Sequence, residues 1–572
     1  MMSRDVAASA DASVWANLPW TFWSTSLMLQ SLADSQAHLS GFNSAPGANT
    51  KAGACFRIAA AEIVTLCIYA GLLAWAIPHH EPWADEAQAW QIARTLPLAQ
   101  MFHVLSYEAH PALWYICLWV LSRLHVSYAG MHWIAAAVGF SGVAVLVTTS
   151  PFPRFIKLLL PFTFYLAFQY AIVARSYVLV PLLIFLCAYF WPKKLERPLT
   201  ISLCLGLLAN VAPHAAAISG GFAIVYLIDL WLSRHEPCPR APAKRMYGAA
   251  ALLLVFYGIS IWTALPAKDA SGAVLVVRPN AAPNKPIEEQ DSELPPSYPG
   301  AEPANRRSIQ WLAWKVEWRL SDALTAGLIQ PFWLGCMFWV LLTWKFFRTR
   351  KLHYLLPAVF LVVLSHVYAW FWHAGLMLPC VIALLWMTWP RQKSQFRKLP
   401  VYEQLPALML LLIAAVQMSW AEFAFAFDHA HDYASGATTA AFLKPYVMSH
   451  ARIVVIGNDS LSVDIQPYFD HNVFLNEPYT YYWWSTHNPS KLLYKKFLAE
   501  GPEIVVLEWR FRDFPTTGTV AAIPLAEQLT RLGYHNTHTF CGGVVRPGRA
   551  IQEWECDLIY EPSQGNLDRD RH

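Results

Sequence analysis

Residues Ile58–Pro78 read IAAAEIVTLCIYAGLLAWAIP, and His79–Arg94 continue directly as HHEPWADEAQAWQIAR. The first stretch has one charged residue, Glu62, and as a helix it is long enough to cross a hydrocarbon layer of ~30 Å. The second turns abruptly polar, with Glu81, Asp85 and Glu86 crowded at the start of a helical pattern. Further apolar runs follow at 130–149, 157–174, 176–192, 199–213, 214–232, 247–266, 323–344, 353–372, 374–390 and 403–421. With the first, they define an α-helical polytopic membrane protein of about eleven spans. The composition agrees. Of 572 residues, 56% are hydrophobic and 14% charged, against the quarter or so charged that a soluble chain carries. The formal charge of +4 is small and scattered, which excludes a nucleic-acid partner.

Lysine and arginine set the expected orientation. Basic clusters occur at Arg154/Lys157, Lys193/Lys194/Arg197, Arg234/Arg240/Lys244/Arg245, Lys345/Arg348/Arg350/Lys351 and Arg391/Lys393/Arg397/Lys398. Every second loop is therefore basic and expected on the cytoplasmic side, with the N-terminus. Segments 79–129 and 267–320 and everything beyond about residue 421 then fall on the outer face. Pro111–Leu124 is too short to span comfortably and reads as a re-entrant or interfacial helix. The loop 267–320 is Pro-rich and acidic, a candidate lid over an outer site. Residues 1–57 show no cleavable signal and read as a cytoplasmic or interfacial segment, with Trp15–Leu32 suited to a membrane surface.

Three regions result: 1–57, the membrane domain 58–421 and an outer domain 422–572. The last alternates strand-like runs (Ala451–Gly457, Glu503–Glu508, 538–546, 553–560) with helical ones (Lys491–Ala499, Ala521–Leu532), the pattern of a small α/β domain. It carries no phosphate-loop or dinucleotide fingerprint. Cys541 and Cys556 are the cysteines of that domain. In an exported domain they could pair on adjacent strands, and two free thiols fit the sequence equally. The run Tyr479–Trp484 (YTYYWW) offers rings for stacking on sugars, or a core or membrane-facing patch.

The chemistry-bearing residues cluster around the first outer segment. Asp85 and Glu86 open a helix just after a span, a position where carboxylates also serve simply as caps. Glu108 and His110-Pro111 precede the next apolar helix, which an ordinary polar loop would also explain. Arg175 interrupts two apolar runs. An arginine at membrane depth is costly, so it marks either a functional site or a snorkelling side chain. His110, His214 and His373 are each open to a packing role.

Taken together, these elements resemble the GT-C superfamily of membrane glycosyltransferases. The nearest likeness is to bacterial Rgt-type galacturonosyltransferases, aminoarabinose transferases and protein O-mannosyltransferases. The resemblance rests on Asp85-Glu86 after the first span, Glu108 with His110-Pro111 at the next helix, and Ala174-Arg175-Ser176-Tyr177 between two spans. It extends to Asn210–His214 and Trp372–Gly375, covering about residues 58–390. Many relatives have Pro-Pro where this chain has Pro111-Ala112.

The resemblance implies an inverting glycosyltransferase that moves a sugar from a polyprenyl-phosphate donor to a lipid, glycan or protein acceptor at the outer face of a bacterial inner membrane. Under it, Asp85 is the base, Glu86 orients the helix or the acceptor, and Glu108 is a second carboxylate holding a sugar hydroxyl. Arg175 would bind the donor phosphate, with Tyr177, His110, His214 and His373 as further phosphate or sugar contacts. Asp85, Glu108 and His110 are also candidate ligands for a divalent cation. A transporter or flippase of a lipid-linked saccharide is the alternative. It would favour internal repeats and charges near mid-bilayer, whereas the carboxylates here gather at one surface. A non-catalytic membrane scaffold is a third reading, under which Asp85 is dispensable.

Overall fold

The computed structural model describes residues 59–235, 240–270, 327–367, 370–390, 396–457, 462–485, 496 and 498–563. The stretch Trp15–Leu32, nearly all of the 267–320 loop and most of the expected helix Lys491–Ala499 lie outside them.

Five helices among the described residues are long and apolar enough to cross a membrane. They are α5 (Tyr128–Thr149), α6 (Leu179–Phe190 with its flanking turns), α8 (Pro213–Leu232), α9 (Ala243–Ala264) and α13 (Val401–Ala430). Shorter apolar helices complete the bundle: α1 (Ala60–Ala76), α4 (Leu113–Arg123), α7 (Pro198–Ala209), α10 (Phe332–Arg348), α11 (Leu356–Val367) and α12 (Met377–Met387). Proline opens α7 and α8, where its missing N–H costs nothing. On α9, Leu254 is 75% exposed and Trp262 62%, an apolar face suited to lipid. The protein is membrane-embedded and mostly helical.

The helices pack as α5 on α6, α6 on α7 and α12, α7 on α9, and α8 on α11. Small residues set two of these approaches. A Cβ at Gly142 of α5 would stand 2.7 Å from the Leu182 backbone nitrogen, and one at Gly221 of α8 would stand 2.4 Å from the Pro357 Cα. A buried ion pair joins Lys345 on α10 to Glu403 on α13.

One expected span takes a different form. Residues 157–174 do not make a continuous helix. They fold as a single turn (Arg154–Lys157), a 3-10 turn (Leu160–Phe162) and a π-turn (Tyr165–Gln169). Pro161 removes a backbone donor early in the run, and a tyrosine hydroxyl reaches the opened backbone: Tyr69 donates to the Leu166 carbonyl at 2.7 Å. The segment is wrapped by other helices, with Phe164, Ala167, Phe168 and Tyr170 fully buried. Non-helical backbone survives at membrane depth only in such surroundings. Pro111–Leu124 forms the eleven-residue α4, about 16 Å long and half a bilayer core.

α2 (Ala84–Thr95) and α3 (Leu98–Glu108) lie between α1 and α4, and α2 packs on α4. α13 runs to Ala430, past the boundary expected near 421. Beyond it come α14 (Gly436–Met448), α15 (Pro524–Arg531) and a four-stranded sheet: β1 (Ile453–Gly457), β2 (Ile504–Phe511), β3 (Tyr534–Arg546) and β4 (Ala550–Pro562). The strand order is β1-β2-β4-β3; β1 and β2 are parallel, and the other pairs antiparallel. The sheet is covered on both faces. Alternate residues Ile453, Val455, Ile504 and Val506 face α14 through Leu443, while Val454, Ile456, Val505 and Leu507 face α15 through Leu529. Cys541 and Cys556 stand directly opposite on β3 and β4 and form a disulfide.

Candidate functional site

The site forms where the α1–α2 connection, the 170–178 turn and the two inner strands of the sheet, β2 and β4, converge. Trp83 caps α2, and its backbone N–H donates to Glu86 at 2.9 Å. Glu86 is completely buried. It also takes the Ala174 N–H, a donor left over by the broken 157–174 segment, and lies 3.1 Å from His132 Nε2 of α5 and 3.4 Å from His80 Nε2. The other nitrogen of His80 bonds Asp428, near the end of α13, at 3.0 Å. Burial opposes the charge on Glu86, yet the two imidazoles outweigh it and hold the carboxyl well below its usual range. Burial likewise opposes the charge on His80, but Asp428 and Glu86 lift it to about 10. His80 is thus an imidazolium clasped by two carboxylates. Glu86 serves as the buried knot joining α2, α5 and the Arg175 turn.

Asp85, one residue earlier, faces the other way. Its side chain is 42% exposed, and its Oδ2 lies 2.6 Å from Arg175 Nη2. The Arg175 side chain is 10% exposed and rests among rings, 4.8 Å from the Trp372 centroid, 5.1 Å from Trp83 and 5.3 Å from Tyr177. Such a stack holds a guanidinium in place without consuming its hydrogen-bonding edge.

Glu108 ends α3. It accepts from Gln88 of α2 at 2.8 Å and from the Tyr115 hydroxyl at 3.3 Å. Burial and the neighbouring charge of Asp85 raise it to about 8, so it carries a proton at neutral pH. His110 Nδ1 bonds the Glu108 carbonyl at 2.6 Å, and burial with nearby Arg175 pushes its pKa down. Tyr177 meets His373 edge-on at 5.6 Å, and His373 stacks on His214 at 4.2 Å. His214 follows Pro213 in the first turn of α8, and His373 receives the Trp370 N–H at 2.9 Å in the turn before α12. Asp85, Arg175, Tyr177, His373 and His214 thus form one continuous chain of contacts, with Glu108 and His110 beside Asp85. The candidate cation ligands Asp85, Glu108 and His110 do not come together as a ligand set. Among the described residues no group of three His, Cys, Asp or Glu side chains is placed to hold a metal.

Several contributors were not singled out from the sequence. Gln88 fixes Glu108 and bonds the Tyr482 backbone on both sides, donating to its carbonyl at 2.7 Å and accepting its N–H at 2.8 Å. The aromatic run is thereby pinned to α2, and Trp483 packs edge-on against Tyr107. Trp83, Tyr115, His132, Asp428, Arg510 and Glu555 complete the surroundings. Gln88 follows Asp85 by three positions on α2 and so shares its helical face, a signal the sequence carries, whereas Tyr115 reaches Glu108 from the next apolar helix, α4. The partners from α13 and the sheet have no local signal.

No family model, curated protein or solved structure matches the chain.

Proposed function

We propose that the protein is an inverting glycosyltransferase, moving a sugar from a polyprenyl-phosphate donor to a hydroxyl of a lipid, glycan or protein acceptor at the outer face of the membrane. The observation that carries this reading is the Asp85–Arg175 pair, a part-exposed carboxylate 2.6 Å from an aromatic-caged guanidinium, with Glu108 alongside. The GT-C resemblance places the same residues at the reaction centre, with about eleven spans around them.

The acceptor hydroxyl gives its proton to Asp85 as its oxygen attacks the anomeric carbon from the face opposite the phosphate. The bond from that carbon to the phosphate oxygen breaks, and the electron pair leaves with the phosphate. Arg175 binds the phosphate and stabilises the growing charge. In the ligand-free pair, Asp85 neutralises Arg175, and a bound phosphate takes over that role and releases Asp85 to act as base. Protonated Glu108 donates a hydrogen bond to a sugar hydroxyl. Tyr177, His373 and His214, joined to Arg175 through ring contacts, and His110 are assigned as further sugar or phosphate contacts.

Sidedness follows from the basic loops, which put the Asp85 end and the C-terminal sheet outside a bacterial inner membrane. The Cys541–Cys556 disulfide supports an oxidising compartment for that sheet. The broken 157–174 segment is also a device used by carriers, so flipping of the same lipid is the competing activity.

The test uses membranes with labelled polyprenyl-phosphate sugars, following sugar transfer and leaflet exchange together. Transfer by the wild type, lost in Asp85→Asn and Arg175→Gln with normal insertion, supports the enzyme. Exchange without transfer replaces it by the flippase. Full transfer by Asp85→Asn removes the assigned base.

A further inference from the structure

Glu555 stands on β4 opposite Arg510 of β2, with 1% of its surface exposed. Its Oε2 accepts the Trp83 indole N–H at 2.7 Å, and its Oε1 lies 3.1 Å from Arg510 Nη2. One carboxylate oxygen thus takes a hydrogen bond from the membrane domain, and the other stands at ion-pair distance from an arginine within the sheet. Trp83 passes the constraint on. Its ring system meets the Arg175 guanidinium at 5.1 Å and packs on Trp372 in a T-shaped pair at 5.1 Å and 66°. Trp372 borders the same guanidinium at 4.8 Å.

A cation over an aromatic face is attracted but weakly oriented, because the indole can turn about its side-chain torsions. The hydrogen bond from the indole nitrogen removes that freedom. A buried carboxylate is also a costly way to fill space, since an apolar residue of similar size avoids the desolvation. Its placement here is explained by what it orients.

We infer that Glu555 is a positioning residue that, through the Trp83 indole, holds Arg175 against Asp85, making the C-terminal sheet part of the reaction centre. This rests on the reading of Arg175 as the phosphate-binding group. It assigns the sheet a task within the catalytic geometry itself, and Arg510 the task of fixing Glu555.

The test has two arms on full-length protein in nanodiscs. The first measures the reaction of Arg175 with phenylglyoxal by mass spectrometry, with Arg197 as an internal reference. It needs no substrate and reads positioning alone. Trp83→Phe, which keeps an aromatic ring and loses the N–H, and Glu555→Leu are expected to raise the Arg175 rate about tenfold at an unchanged Arg197 rate. Glu555→Gln keeps an acceptor and is expected to stay near wild type. The second arm measures binding of geranylgeranyl phosphate. Arg175→Gln abolishes it, Trp83→Phe weakens it about tenfold, and Glu555→Gln restores it relative to Glu555→Leu. Wild-type labelling of Arg175 in Trp83→Phe overturns the positioning role, whatever the lipid does. Lipid binding unchanged in Arg175→Gln, with labelling raised in Trp83→Phe, overturns the phosphate assignment and leaves the positioning role standing. If Glu555→Leu fails to fold, Trp83→Phe and Glu555→Gln still decide between these outcomes.

Discussion

Asp85 and Glu86 are neighbours with opposite environments, and their substitutions should part accordingly. Asp85→Asn removes a part-exposed carboxylate and, under the proposed reaction, is expected to lower sugar transfer by about 10²–10⁴-fold with little change in thermal stability. Glu86→Ala leaves the His80 imidazolium with one carboxylate fewer in a closed site, and is expected to destabilise the protein by about 3–5 kcal/mol in denaturant titrations. The pH behaviour of this knot has two signs. The depressed Glu86 carboxyl contributes stability above its ordinary value of 4.5 that is lost as pH falls. His80, raised from 6.5 to about 10, contributes stability that is complete below 6.5 and lost as pH rises through about 10. Under the proposed reaction, Glu108 is expected to govern the alkaline limb of activity. It is protonated below about 8, so transfer should fall above that pH, and Glu108→Gln, which keeps a donor, should flatten the fall in an initial-rate profile.

At the scale of elements, the glycines of the bundle set helix spacing. Gly142→Val would push a side chain into the Leu182 backbone, and is expected to separate α5 from α6 and lower the unfolding temperature by several degrees, measurable in detergent by scanning calorimetry. Elements were legible in the sequence where length and apolarity decide them, as in α5, α8, α9 and α13, and where alternation marks buried strands, as in β1 and β2. The run 157–174 was not legible as a broken segment. Its composition is that of a span, and only the tertiary wrapping that satisfies its backbone permits the break. The shortness of α4 was readable from the apolar run Pro111–Leu124, about fourteen residues and too few to span comfortably. At the site, the residue types were readable but their partners were not. Asp85 and Arg175 signalled themselves by position, whereas His80–Asp428 and Trp83–Glu555 join residues 348 and 472 positions apart. The pairing of Cys541 with Cys556 depended on strand register, which alternation alone leaves open.

For the whole molecule, the seam between the membrane domain and the sheet is rich in buried acids. Glu81 accepts the backbone N–H groups of Ala437 and Thr438 at the start of α14, and burial with nearby Asp432 raises it to about 8. Burial also lifts Asp557, which Thr439 bonds, to about 6, and Asp464 well above its usual range. Carboxyls raised on folding contribute stability that is complete below their ordinary values and lost as pH rises through the raised ones. Thermal stability should therefore decline between about pH 5 and 8, and Glu81→Gln should remove part of that slope. Reduction of Cys541–Cys556, which closes a loop with a sequence separation of 15, should destabilise the sheet by about 3 kcal/mol, measured by urea unfolding with and without reductant. The grip of Gln88 on Tyr482 has a consequence of another kind. The amide reads only the main chain, as a neighbouring strand would, so it is blind to the side chains it carries. A change of ring at 482 therefore leaves that main-chain mooring intact, and the buried packing of Tyr481 and Tyr482 alone decides which shapes the stretch accepts.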